Sequence, residues 1–239
     1  MSVDNDTRTH GRILAALYLF VILAGIVGQA LIADRFVVRN DAAGTAARII
    51  ANPSLYRLAF TIFMLEMVAQ IATTLLFYDL LKPVSRRVAR ASAVIGITGS
   101  GIKTLARAFY YTPLLLLGGA SYLSVIPQAQ LEALSYTFIR INSQVAAIAL
   151  VFFGFEGVLR GWLIFRSGFL PRFLGVLSMI AGAGWLTYLW PPLGSRAFVV
   201  VALFAIVGVL IMAGWLFIRG VDDAAWRARA ALAASSIWR

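Results

Sequence analysis

From residue 13 onward the chain is built of long apolar runs separated by short polar links. A helix needs roughly 20 mostly apolar residues to cross a bilayer. Six runs are of about that length or longer, over 13–33, 55–81, 89–117, 131–165, 173–190 and 197–218. The pattern predicts an all-α integral membrane bundle of six transmembrane helices. It forms a single membrane domain over residues 1–239, with 220–239 as a cytoplasmic tail. The first run follows Arg12 and reaches Ala33 without a small-residue cleavage site before a polar start. It therefore reads as a retained span and not as a cleaved leader.

The links differ in kind. Lys82-Pro83-Val84-Ser85-Arg86-Arg87 and Arg166-Ser167-Gly168-Phe169-Leu170-Pro171-Arg172 are short, basic turns between antiparallel helices. In the second, Gly168 suits the left-handed position after a helix and Pro171 suits the opening of the next. The segment Asp34 to Ser54 is longer. Its Ala42–Ala51 stretch predicts a short helix at the membrane surface, ended by Asn52-Pro53. Gly118 to Gln130 is a second sizeable link and carries no Lys or Arg.

Basic residues near the ends of the runs give an orientation, because cytoplasmic loops carry excess Lys and Arg. With the N-terminus inside, the inner side holds Arg8, Arg12, Lys82, Arg86, Arg87, Arg90, Arg160, Arg166, Arg172, Arg219, Arg227, Arg229 and Arg239. The other side holds Arg35, Arg39, Arg48, Arg57 and Arg196. The bias predicts a multi-pass protein of the cytoplasmic membrane with both termini cytoplasmic. Trp185, Tyr188, Trp190, Trp226 and Trp238 read as anchors at the membrane interfaces.

Composition agrees and removes alternatives. The chain is 61% hydrophobic and 13% charged, against about a quarter charged for a soluble domain. It has no cysteine, which excludes disulfides, thiolate metal sites, iron–sulfur clusters and palmitoylation. The one histidine, His10, lies in the polar N-terminal tail, so haem held by two histidines is excluded and no histidine set for zinc exists. No metal and no cofactor are expected. A net charge of +11 would suggest nucleic acid in a soluble protein. Here it is the ordinary charge of cytoplasmic loops, and the lipid bilayer is the expected partner.

The stretch Val151-Phe152-Phe153-Gly154-Phe155, then Phe165 to Arg172, then Leu174-Gly175-Val176-Leu177 resembles a bacterial membrane family known as domain of unknown function 4386. Asp41-Ala42-Ala43 with Thr45-Ala46-Ala47, and Leu80-Leu81-Lys82-Pro83-Val84, add to the likeness. The resemblance implies a multi-pass membrane fold and brings no activity. Members commonly carry a histidine or another residue where this chain has Glu156, so Glu156 is not implied as a catalytic residue.

Ionisable residues inside a span are costly, roughly 2.5–3.5 kcal/mol on insertion scales, and usually face a partner inside the bundle. Here they are Glu66, Lys103, Arg107, Arg140 and Glu156; Asp79 belongs beside the Lys82 turn. Glu66, Gln70 and Thr73 share one face of the second run, and Lys103 and Arg107 share one face of the third. Counted from the outer ends of the runs, Glu66 falls level with Arg107, and Gln70 with Lys103. Arg140, Asn142 and Gln144 lie in the same half of the fourth run. These seven residues form a candidate ligand-binding site for an anion such as a carboxylate or a phosphate headgroup, with Tyr110, Tyr111 and Tyr136 at its border.

The competing reading is structural: Glu66 and Arg107 as a buried ion pair that fixes helix packing, and Arg140 snorkelling outward. Glu156 and Arg160, four apart near the inner surface, read as an intrahelical pair before a gate or a proton relay. Gly154, Gly157 and Gly161 form a small-residue strip suited to close helix packing or to a contact between two copies of the chain. No paired-carboxylate magnesium motif, metal-binding helix or nucleophile elbow is present, and Ser100 near Lys103 is too common a pairing to carry weight. A bundle that binds or translocates a small anionic or amphipathic molecule is the leading reading. A structural, sensory or accessory membrane protein comes second, and a lipid-acting membrane enzyme third.

Overall fold

The computed structural model describes the backbone of residues 4–235 and the side chains of residues 8–233. Trp238 and Arg239, read above as an anchor and as a basic end, lie outside the described residues. The fold is all-α. Helix α1 (Asp4–Gly25) runs on into a π-helical stretch, Ile26–Ala33. The others are α2 (Ala42–Ala51), α3 (Pro53–Leu81), α4 (Arg86–Leu116), α5 (Gln128–Ser167), α6 (Arg172–Trp185), α7 (Pro191–Ile218) and α8 (Asp223–Ser235).

Every one of the six apolar runs is helical. Five of the segments, Arg8–Phe36, Pro53–Leu81, Gln128–Ser167, Arg172–Leu189 and Pro191–Ile218, are long and apolar enough to cross a membrane. The exception is α4. It has 31 residues, ample length to span, but Lys103, Arg107 and a series of Ser, Thr and Gly residues dilute its apolar content. Large apolar side chains remain uncovered on these helices, among them Val68, Val199, Val200 and Leu203, each more than half exposed. Soluble proteins rarely leave such faces open.

Local chemistry sets the ends. Asp41 caps α2, its carboxylate accepting from the Gly44 amide at 2.8 Å. Asn52 ends α2, and Pro53 opens α3. In the α5–α6 turn, Gly168 has φ of +77°, the left-handed conformation expected there, and Pro171 sits at the N-cap of α6. Asp79 pairs with Lys82 at 2.7 Å on the exposed end of α3. The stretch read as a plain tail holds α8, whose Trp226 indole donates to the Leu80 carbonyl at 2.9 Å.

The chain packs as two compact units. Among the described residues, the first takes 4–22, 69–100 and 149–235; the second takes Leu23–Val68 and Gly101–Ile148. The first unit is centred on Leu14, Phe77, Leu81, Leu163, Ile164, Leu174 and Leu216. The core of the second holds Ile49, Tyr56, Phe63, Tyr110 and Ile139.

Within the first unit, α5 and α6 pack almost backbone to backbone. A methyl group added at Gly161 would lie 2.6 Å from the Gly175 carbonyl oxygen, and one at Gly182 would lie 2.7 Å from that of Gly154. Gly157 faces the Cα of Gly182, and Ser178 donates to the Gly157 carbonyl at 3.1 Å. The strip read as suited to close packing or to a contact between copies is thus covered by α6 within one chain.

Candidate functional site

Four of the seven expected site residues meet in the second unit. Lys103 of α4 donates to Glu66 Oε1 of α3 at 2.7 Å, and the Glu66 side chain is 4% exposed. Arg107, one turn along α4, is buried and donates from Nη1 to Asn142 Oδ1 of α5 at 3.3 Å. Its guanidinium also lies over the face of Phe63, 3.6 Å from the ring centre, where the ring quadrupole attracts a cation. Glu66 thus pairs with Lys103 and not with Arg107.

An aromatic stack supports this arrangement. Phe63 meets Tyr110 edge-on at 5.3 Å, and Tyr110 lies flat on Tyr56 at 4.3 Å. The Tyr56 hydroxyl donates to the Tyr110 carbonyl at 2.6 Å. The end of α1 and the stretch after it also approach these residues. A methyl at Gly28 would come within 2.9 Å of the Phe63 ring, and one at Gly25 within 3.4 Å of Glu66 Oε1. Only a residue without a side chain admits this approach at Gly28. The approach occurs in the π-helical stretch, an uncommon geometry that often accompanies functional sites.

Two of the other expected residues are not brought in. Arg140 and Gln144 are exposed on α5. Each is two residues from Asn142, which at 3.6 residues per turn is about 200° around the helix. Gln70 is buried but belongs to the first unit. Of the tyrosines placed at the border, Tyr110 is in the stack, Tyr111 packs on Phe60, and the Tyr136 hydroxyl accepts from the Asn40 amide at 3.0 Å. Ser100, set aside as a partner for Lys103, donates to the Gly96 carbonyl at 2.9 Å.

Buried Glu66 and Arg107 with part-buried Lys103 leave one positive charge in surplus. Four buried polar atoms of this unit have no hydrogen-bond partner: Glu66 Oε2, Arg107 Nε, Tyr110 Oη and Ser135 Oγ. Phe63 was not singled out from sequence. The signal for Phe63 was its position three residues before Glu66, on the same face of α3.

A second polar group lies in the first unit. Glu156 and Arg160 form the expected intrahelical pair at 2.7 Å, both buried. Arg160 Nη2 donates to the Tyr18 hydroxyl of α1 at 3.0 Å, and its guanidinium lies 4.7 Å from the Phe77 ring centre. Gly96 of α4 lets the Glu156 side chain lie close, since a methyl there would be 3.0 Å from Glu156 Cγ. Tyr18 was missed, although it is the one tyrosine in the first apolar run.

The family described as domain of unknown function (DUF4386) matches residues 13–220. The chain belongs to this family. The DUF4386 region holds every residue of both polar groups, from Tyr18 to Arg160, and ends before α8. An uncharacterised protein of Archaeoglobus fulgidus is 36% identical over 72 residues, which is 29% of this DUF4386 chain and 43% of that protein. The chain therefore spans less than half the length of this relative. No solved structure matches the chain.

Proposed function

We propose that this DUF4386 protein is a single six-span domain of the cytoplasmic membrane, with both termini inside. Its second unit binds, or passes across the bilayer, a small anionic or amphipathic molecule. One observation carries the reading. Arg107 is 3% exposed, and no carboxylate is within ion-pair reach of it among the described residues, because Glu66 is engaged by Lys103. A buried guanidinium held only by an amide oxygen and an aromatic face, with Nε unpartnered, favours an incoming carboxylate or phosphate oxygen.

The test is ligand-induced thermal stabilisation of the purified protein against acetate, longer alkyl carboxylates, phosphate and alkyl phosphates. At least one class should raise Tm in the wild type and in Arg140→Gln, and fail to do so in Arg107→Gln. A panel without effect, or an effect that survives in Arg107→Gln, sinks the ligand reading. The direct 2.7 Å contact of Lys103 with Glu66 favours the second reading, in which these charges only lock the bundle. In that case the Arg107→Gln protein loses stability and no ligand shifts either protein.

A further inference from the structure

The first unit contains a small cavity with room for about one water molecule, lined by Thr74, Tyr78, Ser92, Glu156, Arg160 and apolar side chains. Two deeply buried polar atoms on its lining lack a hydrogen-bond partner: Thr74 Oγ1, on a residue 2% exposed, and Arg160 Nε, on one 8% exposed. Arg160 uses its other nitrogens on Glu156 and on Tyr18. Thr74 is out of pattern for a helical threonine. Thr61, Thr73, Thr98, Thr112 and Thr137 all turn their hydroxyls back onto the carbonyl four residues earlier. Thr74 does not, and its hydroxyl is left beside the cavity.

We propose that this cavity binds one water molecule between Thr74 Oγ1 and Arg160 Nε, and that this water is the carrier through which Glu156 exchanges a proton with the aqueous phase. A buried polar atom left unpaired costs more than the hydrogen bond it forgoes, and a polar cavity with two such atoms meets the requirement for an ordered water. The balance is simple. A hydronium ion formed at the water passes its proton to the Glu156 carboxylate, leaving a carboxylic acid and water; release is the reverse. The charged or titratable side chains around Glu156 are Arg160 on its own helix, Tyr18 of α1 and Tyr78 of α3, while α4 presents Ser92, Gly96 and alanines. When Glu156 is neutral, Arg160 loses its ionic partner and stays held by the Tyr18 hydroxyl and the Phe77 ring. None of these groups takes part in the anion site proposed above.

Infrared difference spectroscopy on the full-length protein in liposomes, after a downward pH step, tests this. The wild type should show, reversibly, a carboxylic-acid band component that is missing from the Glu156→Gln spectrum, above the background of the exposed carboxylates that both proteins share. In Thr74→Val, which keeps the volume and removes the hydroxyl, the band should appear about fivefold more slowly, the worth of one hydrogen bond to the water. Thr74→Ser should restore the wild-type rate. The proposal is overturned if the wild-type and Glu156→Gln spectra do not differ in the carboxylic-acid region, since Glu156 then takes up no proton. It is equally overturned if Thr74→Val responds at the wild-type rate.

Discussion

Gly161→Ala should loosen the α5–α6 contact measurably. The new methyl carbon would start 2.6 Å from the Gly175 carbonyl oxygen and 2.7 Å from the backbone nitrogen of Met179. Cβ atoms essentially never come closer than 3.0 Å to such neighbours, and relaxed contacts begin at 3.4 Å. The helices must therefore separate by about 0.4–0.8 Å at this point. Met179 Cγ lies at 2.7 Å as well, but the other two obstructing atoms are backbone, so rotating that side chain away does not relieve the clash. Gly175 faces the strip from α6 with its own Cβ direction blocked at 2.6 Å, which leaves no room to slide. Overpacking of this kind costs about 1–3 kcal/mol, partly offset by the gain of up to about 1 kcal/mol when alanine replaces glycine in a helix. A net loss of about 1–2 kcal/mol should lower Tm by several degrees.

The assay is thermal unfolding in one fixed detergent, followed by loss of the monodisperse species. Gly208→Ala and Gly214→Ala on α7 are internal controls. A methyl at either position meets nothing within 4 Å, so propensity alone acts and Tm should hold or rise slightly. If Gly161→Ala is as stable as the wild type, or if Gly208→Ala falls by as much, close backbone packing is not what holds α6 in place.

Two further outcomes follow from the charges. Breaking the Glu66–Lys103 pair by Lys103→Met alone should destabilise by up to about 3 kcal/mol, because it leaves a buried carboxylate without its contact partner, whereas Glu66→Gln with Lys103→Met should cost clearly less; equal losses in unfolding experiments would mean that the charges do not interact. The orientation is open to a direct measurement because the chain has no cysteine. Arg87→Cys and Ser121→Cys, both at exposed positions, should react with an impermeant thiol reagent from the cytoplasmic and the opposite side respectively, and reaction of both from one side would refute the six-span arrangement.

Most of the helical layout could be read from periodicity and punctuation, because those signals are local. Asn52-Pro53 and Gly168 with Pro171 mark helix boundaries by backbone chemistry that needs no tertiary partner. The identity of α4 as a long helix was legible in the same way, but its apolar content alone does not qualify it as a span, since Lys103 and Arg107 sit where a lipid-facing helix would carry Leu or Val. The π-helical stretch after Gly25 was not legible. Ile26–Ala33 reads as part of an ordinary apolar helix, and the close approach of Gly28 to Phe63 within it depends on tertiary packing. The intrahelical pair of Glu156 and Arg160 depends on spacing alone and could be read. Its link to Tyr18 depends on which face of α1 turns inward, and no residue pattern there announced it.

The pairing of Glu66 shows how a small error in a helix end propagates to chemistry. Apolar runs starting at Leu55 and ending at Leu117 set Glu66 level with Arg107. The actual helix ends are Pro53 and Leu116, and Glu66 lies thirteen residues in from the first, as Lys103 does from the second. At 1.5 Å per residue the correction amounts to about one turn, and one turn separates Lys103 from Arg107. That turn decides the character of the site. With Glu66 on Arg107, the surplus charge would sit on a lysine, a compact and strongly hydrated ammonium on a flexible stem. With Glu66 on Lys103, the surplus is a planar guanidinium laid on Phe63 and steadied by Asn142. Such a group is less tightly hydrated and presents fixed, directional donors, so it is the better suited of the two to hold a carboxylate or phosphate away from water. The contrast makes Arg107→Lys informative: it keeps the charge and removes the fork, and a site that reads oxygen geometry should lose most of its ligand response in that variant, while one that reads charge alone should keep it.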